Sequence, residues 1–226
     1  KFTKFHGLGN DFLIVDSDEV VVLEEPGNLA RRLCQRHTGV GADGILVLSV
    51  KDRAAGVVSF RIFNADGSEA EISGNGLRCA AAYLHSQQKI EGPRIRFQTA
   101  VGERACEIVG RTEFGFLVKA DLGQPRFSSA DVPFDDGSVH DRIVDYPLMI
   151  NTKTYPVTVM SLGNPHCSVF IDRFPGRFEW HELGREIESH PFFPRRTNIE
   201  FIRVRGRGEI EVLFWERGVG ETLSSG

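Results

Sequence analysis

Two stretches of this chain combine the residue types from which a reaction can be built. The first is Asn64 to Gly76, N-A-D-G-S-E-A-E-I-S-G-N-G, which follows an apolar run (Val57, Val58, Phe60, Ile62) and leads into a helical stretch, Leu77 to Gln87. A strand, a small polar loop and a helix start offer free backbone N–H groups and the positive end of a helix dipole, so Gly74 to Gly76 favours an anion such as a carboxylate. Ser73 also has the type and place of a helix N-cap. The second stretch is Phe214 to Gly226, F-W-E-R-G-V-G-E-T-L-S-S-G, and at one offset Ser225 falls on Ser73, Gly226 on Gly74, Glu221 on Glu69 and Trp215 on Phe63. The front of the chain repeats as well. Leu8-Gly9-Asn10 recurs as Leu162-Gly163-Asn164, and at that offset Leu29 and Leu33 fall on Leu183 and Ile187. These landmarks, in order, imply two similar domains, each presenting a Ser-Gly at a helix start.

Two such half-sites facing one another suit the inversion of a stereocentre. One group removes a proton from one side of a carbon, another delivers a proton from the opposite side, and an anion-stabilising cradle lies between them. Asn10, Asn64, Asn75, Asn164 and Asn198 are suited to hold a zwitterion by neutral hydrogen bonds. Glu216 and Arg217 add one charge of each sign for its ammonium and its carboxylate.

Elements that would carry these residues follow from the patterning. Phe2 to Phe5 and Phe12 to Val15 read as short strands around a glycine turn, and Asn28 as the cap of a helix from Leu29 to Arg36. The glycines of Gly39-Val40-Gly41-Ala42-Asp43-Gly44 spell the dinucleotide fingerprint, but in reversed context: they follow a helix and open a strand, Ile45 to Val50, so a nicotinamide or flavin site is rejected. Arg94 to Phe116 alternates like an antiparallel meander, and Asp121 to Asp145 is turn-rich, which gives expected domains of 1–120 and 121–226. The second copy is expected to run through strands at Pro156–Met160, Cys167–Ile171, Ile199–Val204 and Ile210–Trp215, with a helix at Trp180–Glu188. The fold class is therefore α+β, two pseudo-symmetric domains with a central helix wrapped by mostly antiparallel sheet in each. Because the second Ser-Gly is followed by nothing, the repeat leads us to expect roughly fifty further residues beyond Gly226.

Composition narrows the function classes. A formal charge of −4 with a pI near 6.0 gives no nucleic-acid or anionic-membrane signature, and no apolar run reaches the length of a membrane span. A cytoplasmic setting is expected. Cys34, Cys79, Cys106 and Cys167 share no C-x-x-C spacing, so neither a zinc site nor a disulfide framework is expected; Cys79, one turn into the helix after Ser73, is the thiol expected to stand apart from buried ones.

The motifs H-G-L-G-N-D-F, R-H-T-G-V-G-A-D-G, N-A-D-G-S-E-A-E, S-G-N-G-L-R-C, G-N-P-H-C, T-N-I-E-F and W-E-R-G-V-G-E-T-L, in this order and over nearly the whole chain, resemble diaminopimelate epimerase. The resemblance implies an isomerase without cofactor or metal that interconverts LL- and meso-diaminopimelate on the route to lysine and peptidoglycan, possessing the two-domain fold of that family and a homodimeric state. It further implies substrate contacts at Asn10, Asn64, Asn164, Asn198, Glu216 and Arg217, and carboxylate binding by the amides of Gly74 and Asn75 and at Gly226. His166 and Glu216 would support the acid–base pair. The family's pattern carries cysteines at that pair, where this chain has Ser73 and Ser225, and Gly44 stands where some members have a binding glutamine. A hydroxyl is a far weaker acid than a thiol and needs a partner base, so slow or absent turnover is expected of this form. The alternatives are a catalytically silent amino-acid-binding homologue and a racemase of another amino acid.

Overall fold

The computed structural model describes residues 1–17 and 25–224, and the chain divides into two compact units that meet between Gly123 and Gln124. In the first unit β1 (Thr3–Gly7) and β2 (Asn10–Asp16) form an antiparallel hairpin closed by Gly7 opposite Asn10. Helix α1 (Pro26–Leu33) then crosses to β3 (Gly44–Asp52), which runs parallel to β2, and β4 (Val57–Asn64) returns antiparallel. A short β5 (Glu69–Ala70) pairs with β4, and helix α2 (Gly74–Ser86) leads to β6 (Arg94–Thr99), parallel to β4. The strands β7 (Gly102–Thr112) and β8 (Gly115–Ala120) complete the expected meander, giving the sheet order β1-β2-β3-β4-β6-β7-β8.

Alternation along the central strands explains why β2 and β3 are apolar without interruption. Phe12, Ile14, Leu46 and Leu48 enter one core with α2, while Leu13, Val15, Ile45 and Val47 enter another with Leu29, Ala30 and Cys34. Helix α2 is buried almost all round, from Gly74 to Leu77 and from Cys79 to Leu84. That degree of enclosure fixes the direction in which its first turn points.

The second unit repeats the order of elements. Strands β9 (Ile143–Ile150), β10 (Lys153–Ser161) and β11 (Pro165–Phe170) are antiparallel, and helix α3 (Arg177–Glu188) crosses to β12 (Asn198–Gly206), parallel to β11. Strands β13 (Glu209–Glu216) and β14 (Gly220–Thr222) then give the order β14-β13-β12-β11-β10-β9. Thus β10-β11-α3-β12-β13 matches β1-β2-α1-β3-β4, with a Leu-Gly-Asn turn in each hairpin and a left-handed glycine in both turns, Gly9 at φ 90° and Gly163 at φ 110°. Helix α3 buries Trp180, Leu183, Gly184 and Ile187, a single stripe at helical spacing, against Cys167, Val169, Ile199, Phe201 and Trp215.

Two expectations need correction. Asn28 is not the cap of α1: the helix begins at Pro26 after Glu25, because proline fixes a helical φ and has no N–H to satisfy, and Asn28 instead accepts a hydrogen bond from Arg31 within the first turn. Strand β9 is not among the expected elements, and its first residues fall at the end of the turn-rich Asp121 to Asp145 segment. Pro147 sits opposite Pro156 on a sheet edge, where a strand tolerates residues that cannot complete the ladder. The glycine fingerprint follows α1 and opens β3, the context that argues against a dinucleotide site.

Candidate active site

In the first unit the site grows from the start of α2. Ser73 is extended (φ −141°, ψ 123°), and its Oγ accepts a hydrogen bond from the Gly76 amide at 3.0 Å, the geometry of an N-cap. The hydroxyl proton remains available to donate. Gly76 has little room for a side chain, because a Cβ would lie 3.2 Å from Leu46 Cδ2 and from Ser73 Cβ. The Gly74 and Asn75 amides belong to the first turn, where N–H groups lack partners within the helix.

Asn75 is 1% exposed and joins this turn to β2: its Nδ2 donates to Asn10 Oδ1 at 3.1 Å, and Arg78 donates to its Oδ1. Asn10 in turn donates from Nδ2 to Asp43 Oδ2 at 2.8 Å. Asp43 and Asp11 clasp each other's backbone amides at 3.0 Å, and Arg36 bridges both carboxylates at 2.6 and 2.9 Å. Burial alone would raise the Asp11 carboxyl, but Arg36 and Lys4 outweigh it and hold Asp11 below its ordinary 3.8. The hydrogen bond to Asp11 pushes the Arg36 guanidinium further up. Asn64 stands at the end of β4, where its Nδ2 donates to Ser68 Oγ at 3.1 Å and helps close the loop.

In the second unit the polar residues share one face of two parallel strands. Period-two alternation puts His166 and Ser168 of β11 beside Asn198 and Glu200 of β12, while Cys167, Val169, Ile199 and Phe201 point into the core. His166 is 6% exposed; its Nδ1 meets Glu200 Oε1 at 2.7 Å, and its Nε2 faces Asn164 Oδ1 at 3.0 Å. Asn198 donates to the Pro165 carbonyl at 2.9 Å and accepts from the Arg217 amide at 3.0 Å, so it pins the turn after β13 to the start of β11. Arg217 also donates to the Arg195 carbonyl at 3.1 Å. Glu188 at the end of α3 fixes the same turn from below, accepting from Trp215 Nε1 at 2.7 Å and from the Gly218 amide at 3.0 Å. Glu216 lies between these two anchors, and its carbonyl accepts from Val219 at 3.1 Å.

The first unit therefore brings together Ser73, Gly74, Asn75 and Asn10, and the second brings together Asn164, His166, Asn198, Glu216 and Arg217. Ser225 and Gly226 lie outside the described residues. Three acidic residues escaped the sequence reading: Asp43, Glu200 and Glu188. Glu200 was legible, since alternation from Asn198 puts it on the polar face; the other two act across segments distant in sequence. Cys79 does not stand apart from the other thiols, because burial pushes it up to about 12. At Gly44 a Cβ would lie 2.6 Å from the Phe63 carbonyl oxygen, so a glutamine there requires β3 and β4 to shift. No group of three or more His, Cys, Asp or Glu among the described residues is arranged to hold a metal ion.

The diaminopimelate epimerase family model matches residues 2–128 and 158–226. A diaminopimelate epimerase of Pelotomaculum thermopropionicum is 43% identical over 226 residues, covering 100% of this chain and 79% of that protein. Another, of Halothermothrix orenii, is 38% identical, covering 100% of this chain and 78% of its own length. Among solved structures, a hydroxyproline epimerase of Agrobacterium vitis shares the fold with a TM-score of 0.67 at 16% identity, over 99% of this chain and 71% of that one. On the family match and these identities, the chain belongs to the diaminopimelate epimerase family.

Proposed function

We propose that this chain binds diaminopimelate and is built to interconvert its LL and meso forms by proton transfer at the α-carbon, without a cofactor. The observation that carries this reading is the start of α2, where Ser73, the first-turn amides and the amide of Asn75 converge. A substrate carboxylate accepts from the Gly74 and Asn75 amides, and the dipole of α2 stabilises the charge that builds as the α-proton leaves. Ser73 and Ser225 occupy the acid–base positions, His166 and Glu216 support them, and Asn64, Asn164, Asn198 and Arg217 hold the distal amino-carboxylate. Gly226 is the second-copy counterpart of Gly74. Such an enzyme acts in the cytoplasm on the way to lysine.

The serines set the rate. A thiol is brought within reach of neutrality by a helix N-terminus, whereas a hydroxyl remains protonated, and Ser73 Oγ already spends a lone pair on the Gly76 amide. That engagement favours a second reading, a homologue that binds the amino acid without turning it over. Incubation with LL-diaminopimelate in deuterated water, followed by NMR of the α-proton, separates the two. We expect background exchange for the chain as it stands and rapid exchange for a Ser73→Cys, Ser225→Cys double variant. Exchange by the serine form would assign the chemistry to the hydroxyls or to a base such as His166; no exchange by either form removes diaminopimelate as the substrate.

A further inference from the structure

The Arg36–Gly44 stretch, R-H-T-G-V-G-A-D-G, lies between α1 and β3, with Gly44 opposite Asn64 in the sheet and Asp43 bonded to Asn10. Its glycines make a tight return from the end of α1. A Cβ on Gly39 would lie 2.5 Å from the Arg32 carbonyl oxygen, Gly41 has φ +79°, and the Val40 and Gly41 amides both donate to the Leu33 carbonyl at 2.9 and 3.0 Å. The product of this return is a fixed position for Asp43 at the entrance to β3, with its amide bound to the Asp11 carbonyl at 2.9 Å and its side chain 13% exposed.

From Asp43 a directional chain of hydrogen bonds runs to the first turn of α2. A carboxylate only accepts, so Asp43 Oδ2 admits Asn10 only through Nδ2; a guanidinium only donates, so Arg78 admits Asn75 only through Oδ1. With both ends fixed in this sense, the middle link from Asn75 Nδ2 to Asn10 Oδ1 has one possible polarity. Neither amide can rotate by half a turn without placing donor against donor and acceptor against acceptor in a buried setting, Asn10 at 2% and Asn75 at 1% exposure. Arg36 anchors the chain from outside at 2.6 Å from Asp43 Oδ1.

We propose that Asp43 is a positioning residue for ligand binding: it locks the Asn10 amide against the first turn of α2, so that the second Nδ2 hydrogen of Asn10 is committed to a carboxylate of the bound amino acid. The inference rests on the reading of this chain as a diaminopimelate-binding protein. It turns the glycine stretch into a support for the anion cradle, and it differs from a plain structural role, in which Asp43 only ties β2 to β3.

Calorimetric titration with LL-diaminopimelate tests it without requiring turnover, using the parent, Asp43→Asn, Asn10→Ala and the double variant. Asp43→Asn is expected to weaken binding about tenfold in the parent and less than about twofold in the Asn10→Ala background, because its effect passes through Asn10. Equal losses in both backgrounds, or no loss in the parent, overturn the inference while leaving the functional reading intact; a parent that does not bind overturns both. Should Asp43→Asn lack a cooperative melt, Arg36→Gln carries the same comparison, since that side chain is 55% exposed and its removal loosens Asp43 along with Asp11 while leaving the Asp43 carboxylate in place. For Arg36→Gln we expect a loss of about threefold that likewise vanishes with Asn10→Ala, and a loss that persists there overturns the inference.

Discussion

At the scale of single residues, the site depends on polar groups that are each held by several partners. Asp11 is the plainest case for a measurement. Its carboxyl is raised by burial and lowered more strongly by Arg36 and Lys4, for a net value below the ordinary 3.8. A depressed folded-state value means that Asp11 contributes stability that is fully present above the unfolded carboxylate range and is lost as pH falls through the lower native value. Chemical denaturation across that acid range should therefore show a steeper loss for the parent than for Asp11→Asn, which lacks the titration. Parallel curves would mean that the ion cluster around Arg36 contributes nothing to acid sensitivity.

At the scale of elements, α3 and β13 meet where a side chain has been omitted. A Cβ on Gly184 would lie 2.7 Å from Trp215 Cδ2 and 2.9 Å from its Cγ, and the indole is further fixed by its hydrogen bond to Glu188 at 2.7 Å. Alanine would raise helix propensity by about 1 kcal/mol. Overpacking against an anchored ring costs about 1–3 kcal/mol, and the ring sits one residue before Glu216 and two before Arg217. Gly184→Ala is thus expected to lower the melting temperature and shift the tryptophan emission. A higher melting temperature with unchanged emission would show that propensity wins and that the ring moves freely.

At the scale of the whole molecule, each unit carries its own apolar packing: the first has one core with α2 and another with α1, and the second has a core around α3. A ligand that binds only the folded chain adds to its stability by mass action, about 2.7 kcal/mol at a concentration one hundred times Kd. LL-diaminopimelate should therefore raise the melting temperature in proportion to the logarithm of its concentration, with L-lysine, which lacks the second carboxylate, producing a smaller rise. Equal shifts from both would remove the distal carboxylate contacts assigned to Asn64, Asn164, Asn198 and Arg217. Among the described residues no helix is long and apolar enough to cross a membrane.

The sequence by itself determined the local chemistry: a serine followed by Gly-Asn-Gly specifies a capped helix start, and alternation along Asn198 to Phe201 specifies which side chains share a polar face. It also carried the repeat, since Leu-Gly-Asn turns and matching leucines are local marks that survive duplication. The tertiary structure alone decided what fixes those groups. Asp43 reaches Asn10 across 33 positions, Glu200 reaches His166 across 34 and Glu188 reaches Trp215 across 27, and no periodicity encodes which of many acidic residues the strand register will bring into contact. The same holds for the corrections. Helix α1 starts at Pro26 and not after Asn28 because proline's fixed φ and missing N–H suit the first helical position, and Pro147 lies in a strand because that strand is at an edge. The place of Cys79 on α2 suggests a thiol apart from the buried ones, yet α2 packs against β1, β7 and β8 and Cys79 is buried, and burial is a property of the assembled core.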